Sequence, residues 1–127
     1  MHFRFRVLSL VALAAALVCA AAQNAPPVKI EPKEKQSSVE LIPGQELTIV
    51  LPTTDPRHVW QTVANDLRYL RPTAKLKPLP GGPTAGASVS FVANRRGRTR
   101  LSFVYVIPEA EGEVTAADSR DIVVKIN

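Results

Sequence analysis

Apolar residues alternate with small or polar ones across 87–93, where Val89, Phe91 and Ala93 share a side, and again across 101–106, where Leu101, Phe103 and Tyr105 do. A glycine-bearing turn at 94–98 joins the two runs, so the pattern predicts a β-hairpin with one bulky apolar face. Such a face has to be covered by a second layer. Further period-2 runs supply it: a short strand at 39–42, a second at 47–51 with Leu47, Ile49 and Leu51 on one side, and a third at 59–63 around Trp60. The last strand spans 120–126, with Ile122, Val124 and Ile126 in phase. Trp60, the sole tryptophan, is expected to be a core anchor whose indole N–H finds a partner.

Breaks between these runs are chemically clear. Pro43-Gly44-Gln45 ends the first strand, and 52–58 (PTTDPRH) cannot continue a ladder because Pro52 and Pro56 lack donors. Residues 72–86, rich in proline and glycine, read as loop with at most a short strand at 74–77. Residues 65–70 fit a helical turn or an irregular strand equally well. No run has the length of an amphipathic helix. The expected fold is therefore all-β, an immunoglobulin-like β-sandwich of about seven or eight short antiparallel strands.

The chain opens with Arg4 and Arg6 and then an apolar, alanine-rich run, with Ala20 and Ala22 placed for cleavage before Gln23. Residues 1–22 are read as a signal peptide, 23–37 as a proline- and charge-rich flexible lead-in, and 38–127 as the sandwich domain. The protein is expected to be exported, periplasmic or secreted. Cys19, the only cysteine, is preceded by Ala16-Leu17-Val18, a poor lipid-attachment context, and is expected to leave with the signal peptide. No disulfide then contributes, and stability has to come from the core.

Without Arg4 and Arg6 the 16 basic residues become 14, against 11 acids, a net charge of about +3. Much of the excess lies in Arg95, Arg96, Arg98 and Arg100. Such a cluster can mark a footprint for nucleic acid or an anionic surface, or can be a solvated turn whose like charges discourage edge pairing. The second reading is preferred, because no aromatics interleave the arginines for stacking. No nucleic-acid partner and no membrane insertion after signal cleavage are expected, and the protein is taken as a monomer.

Catalytic chemistry is sparsely represented. After cleavage one histidine remains, His58 in a loop, expected to be exposed or capping; no thiol and no nucleophile motif accompany it. No histidine or cysteine pair has metal-ligand spacing, and Glu109, Glu111 and Glu113 lack the Asp/Asn-Gly pattern of a calcium loop. Neither an enzyme nor a cofactor is expected.

Three features in order carry a resemblance: a strand ending in Pro52-Thr53-Thr54 and followed by Trp60, the glycine loop with Gly81, Gly82 and Gly86, and the Tyr105 strand leading to Pro108. From residue 39 to 126 the chain resembles the chagasin family of cysteine-protease inhibitors. Their first loop reads approximately Asn-Pro-Thr-Thr-Gly before an aromatic and a tryptophan, the second is glycine-rich, and the third is Arg-Pro-Trp after a tyrosine strand. Here Leu51 stands for the asparagine, Asp55 for the glycine, Ile107 for the arginine and Glu109 for the tryptophan, and Trp60 lies about two residues further on.

The resemblance implies an immunoglobulin-like sandwich that reversibly inhibits papain-like cysteine proteases. Loops 52–58, 80–86 and 107–113 would occlude the cleft. The protease-binding residues would then be Pro52, Thr53, Thr54, Asp55, Gly81, Gly82, Gly86, Ile107, Pro108 and Glu109. Departures at the tips leave an alternative, a non-inhibitory immunoglobulin-like envelope binding module that kept the scaffold.

Overall fold

The computed structural model describes residues 25–82, 84–107 and 116–127. The expected signal peptide, Cys19, Pro108, Glu109 and the other two loop glutamates lie outside the described residues. Eight strands follow in order: β1 (Val28–Ile30), β2 (Gln36–Leu41), β3 (Glu46–Leu51), β4 (Val59–Ala64), β5 (Leu70–Pro78), β6 (Ala87–Ala93), β7 (Gly97–Val106) and β8 (Asp118–Ile126). They form two four-stranded sheets, ordered β1-β3-β6-β5 and β2-β8-β7-β4. The all-β sandwich read from the alternation is what forms, and all eight strands lie within 28–126.

The central strands turn their in-phase apolar residues inward. Leu47, Ile49 and Leu51 of β3 and Phe91 of β6 meet Leu101 and Phe103 of β7 and Ile122 and Val124 of β8, all at most 1% exposed. Burial of side chains this size stabilises by about 1.5–3 kcal/mol each before conformational entropy is subtracted. Such burial is the main term that holds the two layers together.

The expected hairpin is not one. β6 pairs with β3 and β5 in the first sheet, whereas β7 pairs with β4 and β8 in the second, so residues 94–96 carry the chain across from one layer to the other. Alternation specifies which side of a strand is inward but not which strand lies beside it. Phe91 and Phe103 belong to opposite layers of one core rather than to one face of a ribbon.

Strand direction also departs from the all-antiparallel expectation at two edges. β1 runs parallel to β3, and β2 parallel to β8. No tight turn links either pair, so nothing forces the antiparallel sense that a hairpin imposes. The stretch read as a flexible lead-in thus contributes β1 and the first residues of β2, with Pro32 buried in the connector between them.

β5 is nine residues long where mostly loop was expected. It lies at a sheet edge, and its register against β6 shifts between Pro72 and Ala74 and again between Ala74 and Lys77. An edge strand leaves one row of backbone groups unpaired, so proline's missing donor matters little there. Residues 65–69 settle as a turn, in which the Asp66 carbonyl accepts from Tyr69 N and Leu70 N, each at 3.1 Å. Tyr69 then lies over Gly97, whose φ of +145° and lack of a side chain let the ring approach.

Candidate functional site

Four connections gather at one end of the sandwich. Register places the end of β3 beside the start of β6, with Leu51 opposite Ala87, and the end of β7 beside the start of β4, with Val106 opposite Val59. The loops at 52–58 and 79–86 and Ile107, the residue that follows β7, therefore share a pole. The 31–35 connector joins them, because Asp121 N donates to Lys35 O at 2.7 Å.

Loop 52–58 is held from beneath by two aromatic side chains. Trp60 donates from Nε1 to the Pro52 carbonyl at 2.8 Å, the partner that its burial required. Tyr105 donates its hydroxyl to the Asp55 carbonyl at 2.6 Å and accepts from Asp55 N at 3.0 Å. The Asp55 carbonyl accepts a further bond from His58 N at 3.1 Å. Both ends of the Thr53-Thr54 tip are thus pinned, while Thr54 itself stays exposed and Thr53 half-buried.

Asp55 is committed to its own loop. Its carboxylate accepts from Arg57 N at 3.0 Å and from the Arg57 guanidinium at 3.2 and 2.9 Å. These Arg57 hydrogen bonds, first from the side chain and then from the backbone, hold its carboxyl well below the ordinary carboxylate range, and the Arg57 guanidinium is raised in turn. The charge that Asp55 brings to the tip is therefore already matched.

Beneath the loop runs a column of rings. His58 stacks on Tyr105 with centroids 5.0 Å apart, Tyr105 stacks on Trp60 at 4.9 Å, and the Arg120 guanidinium lies 5.6 Å from the centre of a Trp60 ring. His58 is half-buried, with Nδ1 3.4 Å from Asp55 Oδ2, and so is neither exposed nor a cap. Arg120, 7% exposed, donates from Nε to the Pro32 carbonyl at 3.0 Å and from Nη1 to Asp118 at 2.6 Å and to the Ser119 carbonyl at 2.8 Å. One arginine thereby ties the 31–35 connector to the start of β8.

The glycine loop closes through Leu79 N to Gly86 O at 2.9 Å and Ala85 N to Gly82 O at 3.2 Å. Gly81 and Gly82 are exposed at its apex, but Gly86 is buried. A Cβ on Gly86 would stand 2.8 Å from the Leu51 carbonyl oxygen, and its φ is +100°. Gly86 therefore serves the loop by close approach, not by presenting a surface.

A cleft of about 400 Å³ between this loop and the first is lined by Thr53, Pro56, Trp60 and Gly86 among others. Ile107, 42% exposed, begins the third connection. The structure thus places Pro52, Thr53, Thr54, Asp55, Gly81, Gly82, Gly86 and Ile107 at one pole.

Sequence reasoning anticipated a partner for the Trp60 indole but missed the other two supports under these tips. Tyr105 was assigned to the core, where its ring indeed lies, yet its hydroxyl reaches the loop. Arg120 could have been found: it is in phase with Ile122, Val124 and Ile126, and an arginine on an inward register needs built-in partners.

No protein-family model matches the sequence, and no curated protein matches it. Solved structures do match its fold. The cysteine protease inhibitor EhICP2 from Entamoeba histolytica is similar with a TM-score of 0.66 at 16% identity, over 80% of this chain and 96% of that one. Amebosin, known from a solution structure, is similar with a TM-score of 0.57 at 15% identity, over 81% of this chain and all of the other. At such identities the likeness is one of fold, and the fold is chagasin-like.

Proposed function

We propose that the protein is an exported, reversible inhibitor of papain-like cysteine proteases that occludes the active-site cleft with loops 52–58, 80–86 and 107–113. The observation that carries this reading is the reciprocal pair of hydrogen bonds between the Tyr105 hydroxyl and the Asp55 backbone, which with the Trp60 bond to Pro52 pins the Thr53-Thr54 tip on a fold shared with a cysteine protease inhibitor.

A wedge inhibitor has to fill a cleft without presenting a cleavable bond. A tip pinned before docking loses little freedom on binding, so more of its contact energy appears as affinity. Pro52 and Pro56 restrict the same loop from within. The carboxylate of Asp55 is satisfied by Arg57, so it enters the contact without the penalty of an unpaired charge. Protease contacts in this reading are Pro52, Thr53, Thr54, Asp55, Gly81, Gly82, Ile107, Pro108 and Glu109, with Gly86 acting through the shape of its loop.

The test is titration of residues 23–127 against papain with a fluorogenic peptide at several substrate concentrations. Competitive inhibition that disappears in a Thr53→Glu/Thr54→Glu variant of unchanged thermal midpoint is the expected result. Inhibition that survives both changes refutes the loop assignment. Absence of inhibition at micromolar concentration, across several papain-like proteases, favours a binding module on the same scaffold.

A further inference from the structure

The pole opposite these loops carries a different chemistry. There the turns at 65–69 and 94–96 lie together: Asn94 donates from its backbone N to the Tyr69 carbonyl at 2.8 Å and from Nδ2 to the Arg68 carbonyl at 3.4 Å. Arg95, Arg96, Arg98 and Arg100 are all exposed and make no ion pair among the described residues. Arg98 stands directly opposite Lys125, and Lys125 is in turn matched by its register partner on β2, the exposed acid Glu40, at 3.9 Å. Asp66, the acid in the first turn, is bound through both oxygens by Arg68, at 3.0, 3.2 and 2.7 Å. Glu46, at the start of β3, is an exposed acid near this end, in the other sheet, where it pairs in register with Val92.

Apolar side chains stand among these arginines. Leu67, at the crest of the 65–69 turn, is 64% exposed, and Val63, beside the register shift in β4, is 57% exposed. Both border one shallow depression with Arg68 and Arg100.

We propose that this pole is a docking surface for an anionic phospholipid bilayer, with Leu67 and Val63 entering the headgroup region and the surrounding arginines meeting lipid phosphates. Charge complementarity selects an anionic partner, and the aliphatic side chains select lipid over a sulfated polymer, which gives a leucine nothing to bury against, while no aromatic is interleaved with Arg95–Arg100 to stack a nucleic-acid base. This is adsorption through side chains at one end, not a span of the bilayer. It accounts for the arginine cluster better than a solvated turn does. The loops at 52–58 and 79–86 lie at the far end, so a docked molecule holds them away from the membrane.

Co-sedimentation of residues 23–127, which contain every described strand and lack the apolar leader, tests the proposal with two vesicle types. Vesicles of phosphatidylglycerol mixed with phosphatidylcholine should bind the protein, with affinity falling as salt rises, and pure phosphatidylcholine should not. Arg95→Gln/Arg96→Gln should lower the partition coefficient about 25-fold, at roughly fivefold per arginine. Leu67→Ser should lower it about fivefold or more, with the thermal midpoint unchanged because the side chain is exposed. No binding to the anionic vesicles overturns the proposal. So does binding that Leu67→Ser leaves intact and that dextran sulfate resin reproduces, since the surface would then read charge alone.

Discussion

The hydroxyl of Tyr105 closes a two-way contact with the backbone of Asp55, giving one hydrogen bond to its carbonyl and taking one from its N–H. The two residues are 50 positions apart in the chain, so a strand of the core directly determines the shape of a surface loop. Tyr105→Phe keeps the stacked ring and deletes only this contact. At about 1 kcal/mol per hydrogen bond, the variant should lose about 1–2 kcal/mol of stability in urea denaturation. If the inhibitor reading holds, its inhibition constant should rise as well, because the tip has to be ordered on docking.

Arg120 presents the same logic with charge. Replacing it by methionine preserves much of its apolar bulk but strands the Pro32 and Ser119 carbonyls and breaks the pair with Asp118. Asp118 is about one-third exposed and can rehydrate, which limits the damage. A loss of about 2 kcal/mol is expected, read as a lower urea midpoint with an unchanged m-value.

Three glycines with positive φ should rank by what a methyl group would meet. Gly86→Ala drives Cβ toward a backbone oxygen of Leu51 and has no side chain to displace. Gly97→Ala meets the edge of the Tyr69 ring at 2.6 Å, which can swing aside in part, and at Gly82 nothing lies within 4 Å. Backbone strain alone is worth about 1–3 kcal/mol. Thermal midpoints should therefore fall most for Gly86→Ala, less for Gly97→Ala and least for Gly82→Ala.

The Asp55 carboxyl should titrate anomalously. Its pKa is lowered in the folded protein from the ordinary value of 3.8, so its contribution to stability is fully present above that value, declines as pH falls below it and is gone once pH has fallen through the lower folded value. Side-chain carbon NMR at pH 3.8 should find Asp55 ionised, where an unperturbed aspartate is half protonated. Arg57→Ala should return its midpoint toward the ordinary range.

Much of the sandwich was legible because Leu47, Ile49, Leu51 and their counterparts on later strands repeat with period two, and that period is a property of the strand itself. Pairing was not legible to the same degree. The runs around Phe91 and Phe103 read as neighbours because a turn separates them, yet a turn of that length also allows a crossing between layers. β1 was hidden because three residues, Val28–Ile30, are too few to establish a period between prolines. Of the site, the tip residues were readable from the Pro-Thr-Thr and glycine patterns. Of the supports, the Trp60 indole was expected to find a partner, but Tyr105 and Arg120 were not, since a tyrosine only 4% exposed gives no sign of where its hydroxyl points.

The parallel ladder between β2 and β8 sets an order of assembly. Gln36 is matched to Asp121 and Leu41 to Ile126, so β2 cannot complete its ladder until β8 has been synthesised. β8 is also an interior strand, with β2 on one flank and β7 on the other. A chain terminated before Asp118 would lose the bridge between them and leave β2 with no ladder at all. Truncation from that end should yield no smaller folded product, and the domain should form in one late, all-or-none step.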